Sequence, residues 1–344
     1  MEHRPLGRTG VSVSKLCLGT MMFGAWGTRD HDESIRVIHR ALDAGINFVD
    51  TADVYSQGES EIIVGKALKG RRDDVVLATK FFMPFDDDPN HRGGSRRWIM
   101  TEVEHSLRRL GTDHIDLYQM HRYDPAVDLD ETLGALTDLV RAGKVRYFGH
   151  STFPASAIVD AQYVARDRGR ERFVTEQPTY SILTRNIEHE ILPLTRRYGM
   201  GVLSYSPLAG GWLSGRYRKD TGQTGPAAAA RPAVRFDLSL PENQRKLDAA
   251  DALAKLADDA GISLIDLAIA FVLRHPAVTS TIIGPRTMEH LESQLAAADV
   301  ALTDDVLDRI DAIVPPGVTL NPADNGWVSP FLQPSARRRG GTAA

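Results

Sequence analysis

Four residues whose side chains trade protons, Asp50, Tyr55, Lys80 and His121, fall at or just beyond the ends of successive short apolar runs. Asp50 closes residues 47–50, Lys80 closes 75–80 and His121 closes 115–121, with Tyr55 five residues past Asp50. Singly, each has an ordinary explanation: an aspartate at a strand end makes a turn, a lysine is solvated, a histidine near Tyr118 is a satisfied core residue. Together they form a proton-transfer set. A tyrosine titrates near 10, so acting as acid and base near pH 7 requires lowering it by about 2 to 3 pH units, or roughly 3 to 4 kcal/mol in favour of phenolate. One close, partly desolvated ammonium supplies that. Lys80 is the expected source, held protonated by an ion pair with Asp50, and His121 is expected to donate to a carbonyl oxygen. Hydride reaching the carbonyl carbon leaves alkoxide-like charge on that oxygen, which Tyr55 and His121 would stabilise and protonate.

Something must bring these ends together. Short β-rich runs alternate with amphipathic stretches of helical length eight times, with strands expected at 16–18, 47–50, 75–80, 115–121, 147–150, 174–178, 202–205 and 281–284. That alternation predicts repeated strand-helix units around a parallel sheet, here an α/β fold of the (β/α)8 TIM barrel type. At 344 residues one such domain suffices, so residues 1–330 read as a single barrel domain and 331–344 as a flexible C-terminal tail. The first helix, over 32–42, starts acidic, carries one apolar stripe and closes at Gly45. Gly7 and Gly10 suit a tight turn, predicting an N-terminal β-hairpin that plugs the barrel floor. Two long connections, 81–97 and 209–240, follow strands and therefore fall on the carboxyl face, where barrel sites form.

The rest of the composition narrows the class. A net charge of −4 without a block of Lys and Arg outside the tail gives no footprint for nucleic acid. The single cysteine, Cys17, forbids an internal disulfide, fits a reducing compartment and reads as a small core residue. The start, Met1-Glu2-His3-Arg4-Pro5, lacks the apolar run of a signal peptide, and no stretch of about eighteen apolar residues occurs, so a cytoplasmic protein with no membrane partner is expected. None of the eleven histidines has His-Glu-x-x-His spacing, and no metal is expected. No apolar stripe specifies a protein partner, which leaves a homo-oligomer open.

Two stretches carry a resemblance. Gly45-Ile46-Asn47-Phe48-Val49-Asp50-Thr51-Ala52-Asp53-Val54-Tyr55 resembles the first signature of the aldo-keto reductase family. Residues 106–121, from Ser106-Leu107-Arg108-Arg109-Leu110 to Gln119-Met120-His121, are similar to the family segment leading to its catalytic histidine, and the resemblance continues to about residue 300. The family's catalytic tetrad then falls on Asp50, Tyr55, Lys80 and His121, the four that the strand ends select without it. The resemblance implies NADPH bound on a barrel without a Rossmann domain, and the chain has no Gly-x-Gly-x-x-Gly fingerprint. Gly58 to Lys66 has the wrong spacing for a phosphate loop, and Ala67 stands where Ser or Thr belongs.

By the same resemblance Ser151, Thr152 and Gln177 would lie at the carboxamide, Tyr205 would stack on the nicotinamide, and Ser206, Pro207, Leu208 and Gly210 would line the pyrophosphate path. Gly19, Thr20, Met21 and Ile283 with Gly284 would be further cofactor contacts alongside Asp50, Arg216 would cross over the cofactor, and Arg286 would take the 2′-phosphate with His290 and Gln294 nearby. The sequence departs from the family pattern at Thr152, Arg216, Pro285, His290, Ser293 and Gln294. The branch it most resembles is the bacterial, aryl-alcohol-dehydrogenase-like and channel-β-subunit-like one.

Trp26, Phe82 and Trp212, with Met83 and Trp327, fall in or near carboxyl-face loops and would line an aromatic substrate pocket. No lysine or arginine is marked for a substrate carboxylate, so the small-molecule substrate is expected to be a neutral aldehyde or ketone. Three functions are weighed: an NADPH-dependent carbonyl reductase, an NADPH-binding regulatory or sensing barrel with slow turnover, and a Schiff-base aldolase using Lys80 as nucleophile. The third leaves Tyr55, Tyr205 and Arg286 unexplained.

Overall fold

The computed structural model of the chain describes residues 1–219, 232–329 and 332. The expected tail, 331–344, therefore lies outside the described residues apart from Leu332, as does the proline- and alanine-rich run 225–232 apart from Pro232. Strands β1 (His3–Pro5) and β2 (Ser12–Ser14) pair antiparallel as a hairpin. Eight further strands, β3 (Leu16–Gly19), β4 (Phe48–Asp50), β5 (Val76–Phe81), β6 (Ile115–Met120), β7 (Val145–Ser151), β8 (Thr175–Gln177), β9 (Gly201–Ser204) and β10 (Ser280–Ile283), close a parallel barrel in chain order, with β10 joining β3. Each matches an expected strand to within two residues at either end.

Helices α1 (His31–Asp43), α2 (Glu59–Ala67), α3 (Arg96–Leu110), α4 (Leu129–Arg141), α5 (Ala155–Arg168), α6 (Ile191–Tyr198), α7 (Ala233–Phe236), α8 (Pro241–Asp259), α9 (Leu264–Arg274), α10 (Met288–Leu295) and α11 (Asp304–Ile313) surround it. Helix α1 starts where the charge pattern predicts: the Asp30 carboxylate accepts from Asp32 N at 2.8 Å and Glu33 N at 3.1 Å, satisfying two otherwise unpaired amides. No helix among the described residues is long and apolar enough to cross a membrane.

Strand alternation builds the barrel interior in two tiers. Side chains two apart share a face. Cys17, Phe48, Ala78, Leu117, Leu203 and Ile282 form an apolar tier inside the barrel, buried with Leu6 and Val13 of the hairpin segment beneath them. One step up the same faces, Phe48 gives way to Asp50, Ala78 to Lys80, and Leu117 to Gln119 and then His121. The hairpin plugs the floor as expected, and its turn is tight: at Gly7 (φ +58°) a Cβ would meet Gly199 O and Gly201 N at 2.8 Å each.

Candidate active site

The polar tier is assembled by register. Asp50 lies beside Ala78, Lys80 beside Gln119, Met120 beside His150, and Ser151 beside Gln177. Lys80 and Asp50 are buried, and their side chains meet at 2.5 Å. Lys80 Nζ also donates to Thr51 O at 2.7 Å and lies 3.3 Å from the Tyr55 hydroxyl, 5.0 Å from the centre of that ring. The other oxygen of Asp50 accepts from Gln119 Nε2 at 3.0 Å and Gln177 Nε2 at 2.9 Å. A buried ion pair is costly unless its remaining donors and acceptors are met, and here all three ammonium protons and both carboxylate oxygens have partners. His121 stands edge-on to Tyr55, with ring centres 5.9 Å apart, and Trp26 lies 6.1 Å from the same phenol ring.

The electrostatics assign protonation. Burial alone would lower Lys80, but Asp50, with Tyr55, outweighs it and holds the amine above its ordinary value. That opposes a Schiff-base role, which requires the free amine. Burial, then the Lys80 and Arg122 cations, keep His121 well below the usual imidazole range, so it works as a neutral ring. Tyr55 corrects the expectation of a depressed phenol: burial raises it above its ordinary value, ahead of the opposing pull of Lys80, and Asp50 adds to the rise. The ammonium is largely spent on its carboxylate, so only part of its field reaches the phenol.

The loop carrying Tyr55 is held from behind. Ser56 and Gln57 take left-handed backbone angles (φ +49° and +58°), strain of the kind that persists where surroundings over-determine the chain. Gly58 follows on Arg109, whose Cδ a Cβ there would approach to 2.7 Å. Arg109 bonds the buried Glu61 at 2.6 Å and the buried Glu102, and Glu61 accepts from Thr79 of β5 at 2.6 Å. Asp53 sits in the same cluster with its Oδ2 unpaired among the described residues, and burial, then Glu61 and Glu102, push its carboxyl well above the usual range.

The sequence pattern that defines the Aldo/keto reductase family matches residues 15–315. An oxidoreductase of Bacillus subtilis, YrpG, is 43% identical over 326 residues, covering 92% of this chain and 96% of that protein. This chain belongs to the aldo-keto reductase family. Other members similar to it include a Schizosaccharomyces pombe protein named as a voltage-gated potassium channel subunit beta, 34% identical over 91% of this chain and 93% of that one. Norsolorinic acid reductase B of Dothistroma septosporum is 34% identical over 92% of this chain and 82% of its own.

Among the residues expected at the cofactor, Ser151 Oγ donates to Gln177 O at 2.8 Å, and Thr152 (φ +57°) lies 3.4 Å from the Tyr205 hydroxyl. Ser206, Pro207, Leu208 and Gly210 follow β9 directly, with left-handed angles at Ser206, Ala209 and Gly210. Past β10, Arg286 is exposed, and Arg216 Nη2 lies 3.5 Å from His290 Nε2. Burial, then the Arg216 and Arg286 charges, lower His290. Gln294 is buried on α10, Gly19 ends β3, Gly284 follows β10, and Met21 is 46% exposed.

Three expectations are corrected by burial. Trp212 is fully buried, its ring stacked on Phe236 (5.9 Å, 3°) with Lys246 Nζ 5.0 Å from its centre, so it supports the loop and offers no surface to a substrate. Thr20, whose hydroxyl bonds Asp50 O at 3.2 Å and Ser60 Oγ at 2.9 Å, and Ile283 are also fully buried, and stand behind the wall rather than on it. Trp26 (48% exposed) and Phe82 (φ +128°) remain at the carboxyl face. Gln119 was missed, although it lies two residues before His121 on the same inward face.

Proposed function

We propose that this oxidoreductase uses NADPH to reduce aldehydes or ketones to alcohols, with Tyr55 as general acid. The observation that carries the reading is the single ammonium of Lys80, 2.5 Å from Asp50 and 3.3 Å from the Tyr55 hydroxyl, beside a neutral His121. The residues present suit the cofactor: Arg216 and Arg286 supply positive charge for a 2′-phosphate beside a neutral His290, with no ion-pair carboxylate on either arginine among the described residues. Ser151 and Gln177 would hold the carboxamide, Tyr205 the nicotinamide face, and residues 206–210 the pyrophosphate. When bound, the reduced nicotinamide supplies the hydride.

The chain's own part is to place and protonate the carbonyl oxygen. His121 donates to it, Tyr55 hands over its phenolic proton, and Lys80 stabilises the phenolate left behind. A raised phenol pKa suits this direction. An alkoxide is the conjugate base of a far weaker acid, comparable to water, so the proton still moves downhill. The reverse reaction needs phenolate as base and is the one that the raised pKa slows at neutral pH.

The buried lone Cys17 supports a reducing, cytoplasmic setting. A second reading, a cofactor-binding regulatory barrel with slow turnover, draws on the relative named as a channel subunit. Fluorescence titration with NADPH and NADH, followed by NADPH oxidation with 4-nitrobenzaldehyde for the wild type and Tyr55→Phe, separates them. Tight NADPH binding with turnover that collapses in the variant is the expected result. Binding without turnover in either protein favours the regulatory barrel, and no binding removes the cofactor assignment.

A further inference from the structure

The charges at the catalytic end of the barrel do not cancel. Lys80 is matched by Asp50 and His121 is neutral, which leaves Arg122. This residue follows His121 just past β6 and is half-buried. Its Nη1 donates to His121 O at 2.6 Å and reaches Ser151 Oγ at 3.4 Å, setting the guanidinium between the ends of β6 and β7. Among the described residues its Nη2 and Nε have no protein acceptor and no carboxylate pairs with it. Two carboxylates of the same end of the barrel are engaged elsewhere: Asp124 accepts from Gly94 N at 2.9 Å and Ala126 N at 3.0 Å, and Asp50 is filled by Lys80, Gln119 and Gln177. Both Tyr55 and His121 feel the Arg122 charge.

We propose that Arg122 binds an anionic group on the substrate, so that the preferred substrates are carbonyl compounds bearing a carboxylate or a comparable anion. A guanidinium presents its donors as a planar fork that a carboxylate meets with two oxygens, and Nη1 alone is used by the protein here. A net positive site between low-dielectric walls also concentrates anions at its mouth. Trp26, half exposed beside Tyr55, supplies an apolar face for the rest of the molecule. The sequence marks no such cation, and its expectation of neutral substrates is what the placement of Arg122 revises.

The inference rests on the reductase reading, and the experiment separates the two. Initial rates of NADPH-dependent reduction are measured for benzaldehyde, 2- and 4-carboxybenzaldehyde, and methyl 4-formylbenzoate, an ester that withdraws electrons without the charge. One of the two acids is expected to exceed the ester in kcat/KM by about 10- to 100-fold, the size of one charge-assisted contact, mostly through KM. That ratio should collapse in Arg122→Gln and survive in part in Arg122→Lys. If neither acid exceeds the ester, or the preference persists in Arg122→Gln, the proposal is overturned. It is equally overturned if Arg122→Gln slows all four aldehydes alike and weakens NADPH binding, since Arg122 then serves the Ser151 segment. Absence of turnover with every aldehyde would instead remove the reductase reading itself.

Discussion

Replacing Lys80 by methionine removes the larger of the two cationic charges that favour the Tyr55 phenolate, the other being Arg122, and the geometry sets the size of the loss. At 3.3 Å and an effective dielectric of about 20, the ammonium attracts a phenolate by about 5 kcal/mol. The same ammonium is 2.5 Å from Asp50, and the two contacts laid end to end put that carboxylate at most about 5.8 Å from the phenol oxygen. There it repels a phenolate by at least about 3 kcal/mol, leaving a net attraction of no more than about 2 kcal/mol. Without Lys80, Asp50 keeps only Gln119 and Gln177 in a dry site and takes up a proton, so both charges vanish together. Tyr55 should then titrate about 1.5 pH units higher still, with the phenolate fraction below that pH cut roughly 30-fold. The assay is benzyl alcohol oxidation with NADP+ from pH 7 to 11, where the rate climbs as the phenol ionises. The Lys80→Met curve should be displaced to alkaline pH by about that amount, with aldehyde reduction at pH 7 less affected. A variant whose rate falls equally at every pH, with no displacement, would refute the electrostatic argument and leave Lys80 an orienting role alone.

Arg286→Ala should weaken NADPH binding about tenfold and leave NADH binding nearly as it was, read by fluorescence titration. Arg109→Ala strands two fully buried carboxylates, Glu61 and Glu102, and should cost about 3 to 5 kcal/mol in urea unfolding, much of it recovered when both are also changed to Gln. Asp53 has a raised pKa in the folded protein, so the stability it contributes is present below its unfolded value near 4 and lost as pH rises toward its folded value. Asp53→Asn mimics the protonated form and should gain on the wild type by about 1.4 kcal/mol per pH unit across that window, in unfolding measured from pH 4 upward.

The strands and the meeting of Asp50, Lys80 and His121 at one end of the barrel are legible in the sequence because alternation and position work together. An ionisable residue that ends an apolar run must sit on a face and at an edge. Gln119 obeys the same alternation but titrates nothing, so only the register that sets it beside Lys80 shows its grip on Asp50. Trp212 could not be read from its loop, since its burial is decided by Phe236 and Lys246, 24 and 34 residues farther on. The sign of the Tyr55 shift was missed for a related reason. Pairwise reasoning adds the lysine to the tyrosine, whereas the fold places the carboxylate on the same ammonium and buries all three. Arg122 is ordinary as a letter and becomes informative only when its N–H groups without an acceptor among the described residues are located.

The two-tier interior has a consequence for how this chain can change. Asp50 and Lys80 are rooted in strands, seated on an apolar layer that the hairpin seals from below, while Trp26, Phe82 and Arg122 hang from the connections above. Those connections can be exchanged or lengthened at little thermodynamic cost, since closing a loop twice as long adds only about 0.6 kcal/mol. The inherited Asp50–Lys80 pair and its surroundings can thus be carried unaltered from one appetite to another, with selection or an engineer rewriting only the rim.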